Sequence, residues 1–355
     1  MNKPVSTAPP ALDAPVKAEV RNVTVDEDYA GQRLDNFLIR QLKGVPKTHV
    51  YRIIRSGEVR VNKGRAQADT RVAAGDVVRL PPVRISDKVA EKANNPAPAR
   101  EFPILMEDDH LIALDKPAGV AVHGGSGVSF GVIEQLRRAR PQAKFLELVH
   151  RLDRDTSGIL LVAKKRSALT HLQNQFRERE TGKTYLALVQ GAWPANKKVL
   201  DKPLVKFLLP GVDGKEGERR VKVTTKDDPE GMKSVTLVKL ASPPLPSGEG
   251  RGEGRAGAKP SAKPFTLLEV TLKTGRTHQI RVHLASEGHP IAGDDKYGDF
   301  EWNKALQKQG LKRMFLHAWQ LRFSHPADQH AVSLLAELPA ELQPWADVVN
   351  AKIPG

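Results

Sequence analysis

Nine residues, His150-Arg151-Leu152-Asp153-Arg154-Asp155-Thr156-Ser157-Gly158, run directly into the apolar stretch Ile159-Leu160-Leu161-Val162-Ala163. They set the carboxylate of Asp153 between the guanidinium groups of Arg151 and Arg154, at a turn before a strand apolar enough to be buried on both faces. Charges in such a place are costly to desolvate unless they pair or meet a ligand, so the segment reads as a site. A carboxylate there could act as a nucleophile or a base. The chain has no cysteine, which excludes disulfides, thiolate chemistry and thiolate-ligated metal. Any nucleophile must then be a carboxylate, hydroxyl, imidazole or amine. Asp155 is the rival acid, although Asp-Thr-Ser-Gly before a strand is also ordinary turn chemistry in which side chains bond the backbone.

Other patterns are weaker taken alone. In Thr274-Gly275-Arg276-Thr277-His278-Gln279-Ile280-Arg281-Val282-His283 the spacing predicts a helix capped by Thr277, with Ile280 and Leu284 buried, Gly288 ending it and Pro290 beyond. Tyr185 opens a buried strand, where a tyrosine is ordinarily core. Thr181-Gly182-Lys183-Thr184 is no P-loop, because position 177 is arginine where that motif needs glycine. His278 and His283 fall on different faces of a helix or a strand and have no carboxylate to complete a metal set, so no metal is expected.

The elements that must carry these residues fall into two parts. Residues 1–20 are Ala- and Pro-rich without a period and read as a disordered arm. Between residues 31 and 84, Leu34, Phe37, Leu38 and Leu42 predict one helix, and Val50, Ile53 and Ile54 a second that Gly57 stops. A short β hairpin built on Val59, Val61, Val77, Val78 and Leu80 follows. This module holds twelve Lys and Arg against four acids, a density suited to a phosphate backbone. Residues 85–100 have little to bury and read as a linker. From Phe102 strands and helices alternate irregularly: extended over 111–114, 159–163 and 184–189, helical over 129–138 and 167–177. That mixing indicates a central sheet with helices packed on it. The low-complexity tract 242–264 interrupts two strand candidates, 234–240 and 265–272, and reads as a disordered insertion.

Fifty-six Lys and Arg against forty-one Asp and Glu give a formal charge of +15, which points to a polyanionic partner, nucleic acid first. The longest apolar run is far below the roughly 18 residues of a membrane helix, and no secretory signal is apparent. No membrane association and a cytoplasmic location are therefore expected.

The nonapeptide, with Leu114-Asp115-Lys116-Pro117-Ala118-Gly119-Val120, Gly182-Lys183-Thr184-Tyr185-Leu186-Ala187-Leu188-Val189, Thr274 to His283 and Phe315-Leu316-His317-Ala318-Trp319, closely resembles the motifs of the RluA/RluC-type pseudouridine synthases in matching order. Those enzymes turn selected uridines of RNA into pseudouridine. The likeness spans about residues 22–340 apart from the tract 242–264. Arg33-Leu34-Asp35, Val45-Pro46-Lys47, the run Arg52 to Asn62, and Gly75-Asp76 resemble the S-four-type RNA-binding domain shared with a small-subunit ribosomal protein. The resemblance implies an α+β protein: an S-four-type domain over 21–84, then a catalytic domain over 101–345 built on a central, mostly antiparallel sheet.

Residue roles follow from the same resemblance. Asp153 stands where the family keeps its catalytic aspartate, Arg281 matches the arginine that pairs with it, and Tyr185 matches the active-site tyrosine, placed to stack on uracil. Arg151 resembles the arginine that enters the RNA and fills the space of the displaced base. Arg33, Lys47, Arg52, Arg55 and Arg60, with Arg276 and His278, are the expected RNA contacts. The reaction breaks the bond between ribose and a uracil nitrogen, turns the bound base and rejoins it through carbon five, so it needs no cofactor and no metal. The combination of domains is most similar to bacterial enzymes acting on large-subunit (23S) ribosomal RNA, implying a monomer with that RNA as partner. Two other readings stay open. A non-catalytic ribosome-assembly factor would bind without product, and an RNA glycosidase would pair Asp153 with Asp155 and release free uracil.

Overall fold

A computed structural model describes residues 19–42, 45–83, 97–124, 130–210, 217–241 and 264–350. The expected arm, linker and insertion lie wholly or largely outside these residues. The chain divides into two compact units, Met1–Pro96 and Ala97–Gly355.

In the first unit the chain order is β1 (Arg21–Thr24), α1 (Leu34–Gln41), α2 (Lys47–Arg55), β2 (Arg60–Val61) and β3 (Val77–Leu80). Helical spacing puts Leu34, Phe37 and Leu38 on one face of α1 and Val50, Ile53 and Ile54 on one face of α2, and these join Val59, Val78 and Leu80 in a single core. Gly57 turns the chain after α2 with φ +75, a conformation open to glycine because it lacks a Cβ. The expected hairpin is a three-stranded sheet, with β3 between β1 and β2 and both pairings antiparallel. β1 escapes a pattern reading because it is exposed at nearly every position and carries no alternation.

The second unit contains β4 (Ile104–Glu107), β5 (Leu111–Lys116), α3 (Val132–Ala139), β6 (Glu147–Leu148), β7 (Ser157–Ala163), α4 (Arg166–Glu178), β8 (Gly182–Gln190), β9 (Val199–Asp201), β10 (Leu204–Leu209), β11 (Glu218–Val223), β12 (Val235–Leu240), β13 (Phe265–Leu272), α5 (Gln279–Ser286), α6 (Phe300–Lys308), β14 (Leu316–Ser324), β15 (Ala331–Leu335) and α7 (Gln343–Asn350). Ten strands form one sheet in the order β4-β5-β7-β14-β8-β13-β12-β9, with β15 on β14 and β6 on β7. Among the described strands only the β7–β14 pair is parallel. β10 and β11 make a separate antiparallel hairpin.

Period-two alternation sorts the central strand β8 between two layers. Tyr185, Ala187 and Val189 join a core with Leu136 of α3 and with Ile280 and Leu284 of α5. Leu186 and Leu188 join Trp302 and Leu306 of α6 and Phe315 on the other face. Every residue of β7 is buried, as a strand covered on both faces requires.

Two local devices fix the loop that leads into β7. Gly158 has φ +105, and a Cβ there would lie 2.3 Å from the Ala318 carbonyl oxygen, so β7 and β14 approach as only glycine allows. Lys116, fully buried at the end of β5, donates from Nζ to the carbonyls of Pro117 (2.8 Å), Val120 (2.8 Å) and Arg154 (3.0 Å). One amine thereby ties the turn after β5 to the loop before β7. Burial pushes its pKa down to about 7.

Candidate active site

A cleft of about 490 Å³ opens beside the loop before β7, with Arg151, Asp153, Phe176, Tyr185, His278 and Arg281 among its lining residues. The loop is a turn closed by the Thr156 amide donating to the Asp153 carbonyl at 3.2 Å. At its start, the His150 ring stacks on Phe176 of α4 (centroids 4.7 Å apart, 16° between planes) and accepts the Leu161 amide through Nε2 at 3.1 Å. Desolvation, with Lys183 nearby, pushes that imidazole down to about 3, so it is a neutral brace and not a proton donor to RNA.

Asp153 reaches the cleft with 27% of its side chain exposed. Its Oδ2 lies 3.4 Å from Arg281 Nη1, and its Oδ1 lies 3.9 Å from His278 Nε2. The ring of Tyr185 completes this wall from β8, paired in register with Ala318 and Val270. Burial, and then the Asp153 charge, raise the phenol's pKa, so it presents a neutral aromatic surface. Among the described residues its hydroxyl makes no hydrogen bond. Arg281, Tyr185 and Asp153 thus line one cleft.

The helix that carries Arg281 starts later than expected. Thr277 is not its cap: α5 begins at Gln279, and the preceding residue His278 is left-handed (φ 54, ψ 19) with no side-chain cap bond. Gln279 supplies the local order instead. Its Oε1 accepts from Thr274 Oγ1 (2.8 Å) and the Arg276 amide (3.0 Å), while its Nε2 donates to the Val235 carbonyl (3.0 Å) and Thr236 Oγ1 (2.9 Å). This knot turns the His278 ring toward Asp153, with Nδ1 bonded to the Tyr297 hydroxyl at 2.8 Å. His283 is not beside it. It is buried elsewhere, held by Thr236 and the Lys202 carbonyl.

Arg151 and Arg276 stand exposed at the rim, with Arg276 leaning on the Lys233 carbonyl at 3.3 Å. Asp155 lines no part of the main cleft. It pairs with Arg154 at 3.2 Å, lines an adjoining groove that Asp153 also borders, and lines a further cavity of about 760 Å³. Of the Gly124 to Gly127 stretch only Gly124 is described, and its amide donates to Glu134 Oε2 at 3.0 Å.

In the first unit Lys47, Arg52 and Arg55 are exposed along α2 and Arg60 is half-exposed on β2. Arg33 is engaged within the unit. Its guanidinium pairs with buried Asp35 (3.2 and 2.8 Å), which also accepts the Tyr51 hydroxyl at 3.0 Å.

Sequence reasoning missed the residue that holds Arg281. Asp294, 1% exposed, accepts both Nε (2.8 Å) and Nη2 (2.7 Å) of that guanidinium, whose own pKa is raised by this acid and by Asp153 against the cost of burial. The available signal was its setting, Gly293-Asp294-Asp295-Lys296-Tyr297-Gly298, an acid pair bracketed by glycines soon after the Arg281 helix.

A family profile described as RNA pseudouridylate synthase matches residues 110–286, and the S4 domain profile matches residues 32–78. The chain is 48% identical over 333 residues to the ribosomal large subunit pseudouridine synthase C of Vibrio vulnificus, covering 92% of this chain and 96% of that protein. It is 50% identical over 328 residues to the protein of that name from Yersinia pestis, covering 91% and 94%. Among solved structures it is similar to human RNA pseudouridylate synthase domain containing 4, with TM-score 0.51 and 25% identity over 76% of this chain and 98% of that one.

Proposed function

The chain belongs to the RNA pseudouridylate synthase family, and from that premise we propose that it isomerises selected uridines of large-subunit (23S) ribosomal RNA, with Asp153 as the reacting carboxylate. The observation that carries the assignment of Asp153 is its placement: a partly exposed acid in a cleft, within 4 Å of both Arg281 and His278 and facing the Tyr185 ring.

Each group has a part suited to its surroundings. The Arg281 guanidinium, 3.4 Å from Oδ2, gives the Asp153 carboxylate a cationic hydrogen-bond partner. Tyr185 offers a neutral face on which an extruded uracil stacks, and Arg151 at the rim fills the space the base leaves. The glycosidic bond to the uracil nitrogen breaks, the base turns within the cleft, the bond to carbon five forms as that carbon loses its proton, and the freed nitrogen takes a proton up. Product and substrate contain the same atoms, so the isomerisation consumes no second substrate.

We assign RNA capture to the S4 domain, taken as residues 21–84, through Lys47, Arg52, Arg55 and Arg60, and the chemistry to residues 101–345. Arg276 and His278 are assigned to the RNA strand beside the target. Arg33 is assigned to the same surface, although its pairing with Asp35 leaves it less to give. No helix among the described residues is long and apolar enough to cross a membrane. We place the enzyme in the cytoplasm, acting as a monomer. Mapping pseudouridine in ribosomal RNA from cells with and without the protein tests this: sites lost from the large-subunit RNA support it. Unchanged maps, with RNA binding retained, favour an assembly factor, and free uracil from purified protein favours a glycosidase.

A further inference from the structure

One guanidinium faces three carboxylates: Asp294, Asp153 and, 3.5 Å from Nη2, the exposed Asp295. Arg281, 3% exposed, gives Nε and Nη2 to Asp294 and keeps only Nη1 for Asp153, at the longer distance of 3.4 Å. Asp294 is held independently of that pair. Its Oδ1 also accepts the amides of Lys296 (2.9 Å) and Tyr297 (3.1 Å). Asn303 of α6 accepts the Gly293 amide and donates to the Asp294 carbonyl, both at 2.8 Å. Gly293 has φ +76, with the Arg313 carbonyl oxygen 2.2 Å from where a Cβ would stand. The acid is therefore fixed before the arginine is considered. Tyr297 extends the arrangement: its ring lies 5.2 Å from the guanidinium carbon, and its hydroxyl bonds His278. A single segment, 293–297, backs both the guanidinium and the imidazole beside Asp153.

Resting on the reading of Asp153 as the reacting acid, we propose that Asp294 is a positioning residue that occupies the bidentate fork of Arg281 and so leaves Asp153 paired but loosely held. The two-bond fork is the strong form of an arginine–carboxylate pair. Formed with Asp153, it would engage both oxygens of the acid that must meet the substrate, and it would have to break in every turnover. Formed with Asp294, it fixes where Nη1 points and limits its grip to one hydrogen bond. Asp294 does not line the cleft, so it acts through Arg281 and not on the uridine.

The test compares wild-type protein with Asp294→Asn, Arg281→Gln and the double variant, reading the single-turnover rate of pseudouridine formation at saturating ribosomal RNA fragment and the Kd for that fragment. Asp294→Asn is expected to lower the rate about a hundredfold, the scale of a catalytic group displaced by an ångström. Its Kd should stay within about twofold, since RNA affinity is set by phosphate contacts. The double variant should be no slower than Arg281→Gln, because residues acting as one unit are not additive. A wild-type rate in Asp294→Asn, or losses that multiply in the double variant, would overturn the proposal. Should Asp294→Asn fail to fold with its arginine buried and uncompensated, Asn303→Ala decides, since it keeps both charges and loosens only the backbone around Asp294. A lower rate at unchanged Kd supports the role, and an unchanged rate overturns it. Wild-type protein that makes no pseudouridine would instead strike the functional reading itself.

Discussion

Replacing Gly158 by alanine probes the join on which the reactive loop depends. The added methyl would stand 2.3 Å from the Ala318 carbonyl oxygen and 2.8 Å from that residue's nitrogen and carbonyl carbon, all backbone atoms that no rotamer change can move. Restoring ordinary packing distances requires β7 and β14 to part by about 1 Å at their parallel register pair, Gly158 and Ala318. A positive φ imposed on alanine costs about 1–3 kcal/mol, and crowding a packed interior costs about 1–3 kcal/mol more. The expected loss is thus about 2–6 kcal/mol, a large share of a stability of roughly 5–15 kcal/mol. Because Asp153 lies five residues upstream, on the loop that leads into β7, the displacement should also reach the chemistry, lowering turnover by about a hundredfold in the fraction still folded. Urea unfolding of the full chain followed by single-turnover pseudouridine assays under native conditions reads both effects. A variant within about 0.5 kcal/mol of wild type, the range of inconsequential substitutions, and turning over at the wild-type rate, would refute the claim that this close approach sets the loop.

Three further outcomes are expected. Tyr185→Phe should retain most activity, since the hydroxyl has no partner among the described residues, whereas Tyr185→Ala should lose about 1–3 kcal/mol of stacking to the base; equal rates in the two variants, measured under single turnover, would contradict the stacking role. Changing Lys47, Arg52 and Arg55 together to alanine should weaken RNA binding uniformly and reduce the salt slope of log Kd by about one for each phosphate left without its cation, which titrations at several salt concentrations would show and an unchanged slope would disprove. Finally, His317 is fully buried, with Nδ1 on Ser157 Oγ and Nε2 on the Ala336 carbonyl, and burial pushes its pKa down to about 4. Between its unfolded value near 6.5 and that lower value the unfolded chain binds the extra proton, so stability should fall as pH drops through this window, by at most about 1.4 kcal/mol per pH unit. Urea midpoints at pH 7 and pH 5 check this, and His317→Gln should remove that part of the slope.

The parts of the fold legible in the sequence are those whose signal is local. Helices α3 and α4 and strands β5, β7, β8, β12 and β13 announce themselves by periodicity and apolar runs, and their observed bounds lie within a few residues of expectation. β1 carries no such signal, because it is exposed at nearly every position and is defined by its neighbours. The site divides along the same line. Asp153, Tyr185 and Arg281 sit in recognisable motifs, and the structure brings them to one cleft. Asp294 and Lys116 act on groups 13 and 38 residues away, respectively, and a buried acid or amine cannot be told from a solvated one by its neighbours in sequence. The start of α5 departs from the expected threonine cap because a side-chain knot around Gln279 orders that turn.

The Asp153 carboxylate is tested by pseudouridine formation in Asp153→Asn on a large-subunit ribosomal RNA fragment, with Kd for the fragment measured on the same preparation. Loss of detectable product with Kd held near wild type is the expected result, since the variant keeps the shape of the cleft and the cationic side chains that hold RNA. Turnover at a comparable rate would contradict the account outright.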